Sequence, residues 1–417
     1  MPTAHPSPSA PRPRTRLSGT GGFWLLATAL LALMAAAGAP SPLYVVYQQR
    51  WGFSATVLTF VFAVYALALL VALLTVGALS DHVGRRPVLL IALTAQAAAM
   101  VLFLIADGPH GLLLARAAQG LATGAATGAI SAGLVDLQPP SAKNLGAVLN
   151  SAGTPSGVAL GGVTSGLVLQ YVPAPTTVVF AAFAGVFLLL AVAVAWLPET
   201  SPRRPGALAS LLPRAAVPSE ARGAFLRVAP AATAGWALVG LYLSLGPSLA
   251  REVLGIDSGL AGGLVVAALT GTGALVGTPL RGMAPRKLMI GGPTALAAGT
   301  LLVALALAGH PSTALFFAGT LVAGAGFGTG FLGAFGTLAA VPTSRRAELF
   351  SSFYIISYLA LSIPAVLAGI LAPARGLHFV AEGYAGAVVL LALAAAGLSA
   401  AGRRAYRAVV AVETEQT

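Results

Sequence analysis

Residues 77–87 read GALSDHVGRRP, with Asp81, His82, Arg85 and Arg86 gathered around Gly77 and Gly84. Only 8% of the 417 residues are charged, so this cluster marks a place where the chain meets water. The segments on either side, 57–79 and 87–106, are almost purely apolar and long enough to cross a bilayer as helices. Lipid demands helices because a helix satisfies its own backbone hydrogen bonds. The stretch therefore reads as a tight loop between two membrane spans.

Composition extends this to the whole chain. It is 57% apolar with a mean hydropathy of +0.89, and it has about a third of the charge of a typical soluble domain. Apolar runs place twelve spans near 23–46, 57–79, 87–106, 111–135, 144–170, 177–197, 224–249, 258–279, 287–308, 313–338, 347–371 and 379–401. The expected class is an all-α polytopic membrane protein of two six-helix bundles, 23–197 and 224–401. The polar segment 198–223 links them, and 402–417 forms a tail. Residues 1–22, rich in proline and arginine, read as a disordered tail. A cleaved leader over 23–39 is disfavoured, because its removal leaves an odd number of spans. With no cysteine there is no disulfide framework or thiolate metal site, and no metal or cofactor is expected.

The net charge of +12 would suggest nucleic acid in a soluble protein. Here it reads as topology. Nineteen of the 23 basic residues fall on one side of the twelve-span scheme. Arg50, Arg251 and Arg375 fall on the other, and Arg116 lies within a span. The positive-inside rule then puts both termini and the 77–87 loop in the cytoplasm. Arginine outnumbers lysine 21 to 2, a usage that suggests a bacterial genome, hence the inner membrane.

A shift of 200 residues makes the halves echo each other. GALSDHVGRRP meets GTPLRGMAPRK (277–287), and LATGAATG (121–128) meets LVAGAGFG (321–328). RWGFS (50–54) resembles VLGID (253–257), making Ser54 and Asp257 the expected N-caps of spans two and eight. Two parallel repeats around a midplane site are a transporter architecture.

Together these features resemble the major facilitator superfamily. Its loop signature, Gly-x-Leu-x-Asp-(basic)-x-Gly-Arg-(Arg/Lys), is matched at Gly77, Leu79, Asp81, Gly84, Arg85 and Arg86. RAAQG (116–120) resembles its span-four signature, Arg-x-x-Gln-Gly. The resemblance implies alternating access with an ionic latch. Asp81 would sit at the N-terminal tip of span eleven in the other bundle, Arg85 would pair with Asp136, and these contacts would hold the outward-open state. The competing reading makes Arg85 and Arg86 topology anchors only.

GTPSGVALGG (153–162) resembles the span-five signature of the family's drug:proton antiporters at Gly153, Gly157, Gly161 and Gly162. Val158 replaces its proline, Pro155 lies three residues earlier, and Asn144 replaces a further glycine. The alternative is a small-residue seam for helix packing. GAGFGTG (324–330) lacks dinucleotide-loop spacing and reads as packing. Arg116, the one formal charge well inside a span, is expected to face a solute cavity, against the alternative of snorkelling. Gln119, Tyr65, Asn150, Trp236, Tyr242, Tyr354 and Tyr358 are the other candidate wall residues, suited to an apolar or cationic aromatic solute. All eleven acids fall at span ends, in loops or in tails.

The expected function is proton-coupled efflux of small hydrophobic or cationic compounds by a monomer in the bilayer. The partners are a small solute and protons, with no nucleic acid. The missing membrane-embedded carboxylate supports a rival, an importer or uniporter of a neutral metabolite. A membrane enzyme would need a catalytic dyad, and a primary pump an ATP loop; the sequence offers neither.

Overall fold

The computed structural model describes residues 17–142, 144–201, 203–308 and 311–415, with side chains through residue 401. Arg12, Arg14, Arg16 and Lys143 of the charge count lie outside the described residues, as do the side chains of Arg403, Arg404 and Arg407.

The first span is two helices, α1 (Gly19–Gly38) and α2 (Pro40–Trp51). It starts four residues earlier than expected, because Ser18 Oγ accepts from the Gly21 N–H at 3.0 Å and caps it. Residues 19–22 are therefore helical, while 1–16 of the expected tail lie outside the described residues. The bend follows from Pro40, which has no N–H to give the carbonyl four residues back. Then come α3 (Ala55–Val76), the short α4 (Ser80–Val83), α5 (Arg85–Ile105), α6 (Pro109–Asp136), α7 (Leu145–Tyr171) and α8 (Pro175–Val194). The linker holds α9 (Ala207–Ser210) and a 3-10 turn, Ser219–Ala221. The second half is α10 (Arg222–Ser244) continued by α11 (Gly246–Glu252), α12 (Gly259–Leu280), α13 (Pro285–Leu307), α14 (Thr313–Ala339), α15 (Arg346–Arg375) and α16 (Leu377–Glu415). Backbone helix thus continues through 402–415, where a tail was expected.

Among the described residues, ten helical stretches are long and apolar enough to cross a membrane. The 28-residue α6 and 27-residue α7 complete twelve spans. These two are diluted with glycine, serine and threonine. The expected cap Asp257 is replaced by its neighbour. Ser258 Oγ accepts from Ala261 N–H at 3.3 Å, while Asp257 pairs with Arg251 at 3.4 Å.

The repeat seen in sequence is a repeat of contacts. A Cβ on Gly124 would run into the Leu69 carbonyl, and one on Gly324 into the Leu269 carbonyl. Gly128 lies against the Gly77 carbonyl, and Gly328 against the Gly273 carbonyl. So α6 packs on α3 as α14 packs on α12, backbone to backbone, which only glycine permits. The GAGFGTG glycines serve two neighbours: Gly324 and Gly328 meet α12, and Gly326 and Gly330 meet α13.

The bundles meet along two seams, α7 with α12 and α3 with α15. Gly263 abuts the Gly162 carbonyl, and Gly166 fits against Gly259 and Gly263. The direct hydrogen bonds between bundles lie at the end away from Arg85 and Arg86. There Ser41 Oγ donates to Leu243 O at 2.6 Å, Thr56 Oγ1 donates to Gly369 O at 2.8 Å, and Gln170 Oε1 accepts from Ser258 Oγ at 3.0 Å and Gly259 N at 2.9 Å. At the arginine-rich end, called the basic end below, no direct hydrogen bond or ion pair joins the bundles among the described residues. The direct clasps between the bundles thus lie at the far end.

This geometry is directly testable because the chain has no cysteine. Gln170→Cys with Ser258→Cys should cross-link on mild oxidation in membranes, read as a gel-mobility shift. No cross-link would contradict the clasp.

Candidate functional site

At the basic end the 77–87 loop is held by more than its own residues. Gly84 adopts φ 110°, and a Cβ there would stand 2.5 Å from Glu199 Oε2. Only glycine suits both the conformation and the space. The Glu199 carboxylate accepts from Arg85 N at 2.8 Å and Arg86 N at 3.2 Å. It caps the N-terminus of α5 with a negative charge. Sequence reasoning missed Glu199; its only signal was an acid directly following span six. Arg85, buried, places Nη2 2.8 Å from Asp136 and 3.6 Å from Asp81.

Asp81 is not where the resemblance put it. Its side chain is 53% exposed and faces Arg85 of its own bundle. The loop is tied to the linker instead. Asp81 O accepts from Ser201 Oγ at 3.0 Å and Arg204 N at 3.2 Å, and His82 Nδ1 lies 3.1 Å from Arg204 O and 3.0 Å from Pro205 O.

The glycines of α7 divide between two partners. Gly153, Gly157 and Gly161, one turn apart, face Leu30, Met34 and Ala35 of α1. Gly162 and Gly166 face α12 of the other bundle. Pro155 lies inside α7. The helix is thus a two-sided strip, one face inside the first bundle and one against the second.

Arg116 is 1% exposed, so it does not face open space as expected. Pro40 leaves the Ala36 carbonyl without its helical partner, and Gln119 Nε2 donates to it at 2.8 Å. Arg116 then donates from Nη1 to Gln119 Oε1 at 2.8 Å and Ala37 O at 3.4 Å, and from Nε to Tyr44 Oη at 2.6 Å. The guanidinium carbon lies 5.3 Å from the Tyr44 ring centre and 4.9 Å from that of Tyr65. Dipoles and ring faces, with no carboxylate, hold this buried cation.

Across the seam, half-buried Trp236 stacks on half-buried Tyr358 at 6.0 Å and meets Phe327 and Phe331 edge-on. Tyr354 lies one turn from Tyr358. Tyr65 lies on α3, the helix that packs on α15. These residues converge where α3 and α15 meet. Asn150, half-buried on α7, donates to Ser131 O at 3.1 Å. Tyr242 is enclosed within the second bundle, bonded to Thr320 at 2.7 Å and stacked on Phe316 at 6.1 Å. It is not a wall residue, because α10 turns it inward toward α14. At the 200-residue shift of the repeat, Phe316 stands where the first bundle has Arg116.

A sequence profile of the Major Facilitator Superfamily matches residues 24–284. The fold is similar to the crystal structure of a bacterial homolog to the human lysosomal transporter Spinster, in an inward-facing and unoccupied conformation. The TM-score is 0.72 at 14% identity, over 91% of this chain and 97% of that one. It is also similar to the crystal structure of the human organic anion transporter MFSD10 (TETRAN), with a TM-score of 0.62 at 19% identity, over 92% and 100%. No curated protein matches this chain.

Glu199→Ala should destabilise the loop by about 1 kcal/mol, the usual worth of a helix cap. Hydrogen exchange of the amides near residues 85–87 should rise. Unchanged protection would remove Glu199 from this role.

Proposed function

The chain belongs to the major facilitator superfamily, and on that premise we propose that it exports small hydrophobic solutes by alternating access. It is a multi-pass membrane transporter. The finer reading is supported by one observation: aromatic side chains gather near the α3–α15 seam, and the hydrogen bonds that join the two bundles lie at one end. By the positive-inside rule the other, basic end is cytoplasmic, and on this reading the protein receives solute from inside a bacterial cell. Closing the basic end would bring the Asp81 loop to α15, as the resemblance implies, while the α7–α12 glycines part.

Proton exchange is the proposed drive, and the carboxylates at the span ends are its candidate carriers. Glu252 is the best placed at the far end. Burial pushes its carboxyl up, against the opposing pull of Arg251. The second reading, facilitated diffusion, is favoured by the acid-free interior of the spans.

In vesicles of purified protein, efflux of a naphthyl solute should accelerate as pH falls on the far side, because a raised pKa is reached earlier on acidification. Glu252→Gln should remove that dependence. Transport that ignores a pH gradient would select the uniporter reading, and no transport of any aromatic solute would reject both.

A further inference from the structure

Resting on the transport reading above, we infer that the cleft selects aromatic solutes bearing a negative charge and excludes cationic ones. The acids of the described side chains sit at the two ends: Asp81, Asp136, Glu199, Glu220 and Glu348 near the basic end; Asp107, Glu252, Asp257 and Glu382 near the far end. Glu413 and Glu415 follow the last span. Among the described residues the interior of the spans therefore carries one formal charge, that of Arg116. Its hydrogen bonds satisfy N–H groups but cancel no charge, because Tyr44, Gln119 and the Ala37 carbonyl are neutral.

That charge lies close to the aromatic wall. Tyr65 meets the guanidinium at 4.9 Å and belongs to α3, the helix that packs on α15. A solute against Tyr65 and Tyr358 is one ring thickness further away, about 8 Å from Arg116. In a protein of effective dielectric about 20, one unit of solute charge at that range changes binding by more than about tenfold. The second bundle has no counterweight, since Phe316 occupies the place equivalent to Arg116 and stacks on Tyr242.

A solute then places its anionic group toward Tyr65 and Arg116 and its ring against Trp236 and Tyr358. The arginines of the basic mouth have the same sign, but topology alone explains them. The cationic aromatic solutes that ring faces alone would favour are opposed by this one buried charge.

The test is titration of the purified full-length protein with three matched probes: naphthylacetate, naphthylacetamide and naphthylmethyl-trimethylammonium. Binding is followed by tryptophan quenching and by calorimetry. The carboxylate should bind at least about tenfold more tightly than the ammonium, with the amide between them. Arg116→Lys should keep that order, and Arg116→Gln should erase it. Equal affinities, tighter ammonium binding or an order that survives Arg116→Gln would overturn the charge selection while leaving an aromatic cleft in place. Failure of all three probes to bind would overturn the cleft reading and this inference together. If Arg116→Gln does not fold, the unmodified protein and Arg116→Lys still decide the order.

Discussion

Every backbone N–H and C=O inside a bilayer must find a partner within its own span or against a neighbour. In this chain that constraint fixes the helices, and its relaxation at Pro40 creates the buried Arg116 site. Pro40 breaks the first span and frees the Ala36 carbonyl. Gln119 takes it, Gln119 in turn takes Arg116, and Arg116 is held without a carboxylate. A buried guanidinium would otherwise be too costly to keep. The bend in α1–α2 and the cation in α6 are therefore one feature.

Helix association in lipid lacks the hydrophobic drive available in water and depends on close approach. The glycines supply it at two levels. Within each bundle, Gly124 and Gly128 bring α6 onto α3, and Gly324 and Gly328 bring α14 onto α12. Between bundles, Gly162 and Gly166 meet Gly259 and Gly263 over the far half of α7 only. A contact made of backbone and few side chains can separate without unpacking a core, which suits a seam that opens and closes. Polar clasps between Ser41 and Leu243, and between Thr56 and Gly369, add direction without burying charge.

The basic-end loop follows a different logic, because water is near. Glu199, Asp136 and Asp81 surround Arg85 and the first turn of α5. The first bundle neutralises its own loop. Asp81, exposed and only weakly paired, is the member free to change partner.

The spans, their number and the six-plus-six repeat were legible in the sequence, because bilayer thickness and hydrogen-bond satisfaction act on local composition. The motif glycines and the charged loop were legible too, since turns and close approaches demand particular residues. What packs against what was not. Nothing local shows that Arg116 turns toward the freed carbonyls beside Pro40 and away from open space, that Tyr242 is enclosed by α14, or that Glu199 caps a helix more than a hundred residues before it. Those outcomes depend on which helices become neighbours and which end of the seam is closed, and tertiary packing decides that because each contact joins residues far apart in the chain.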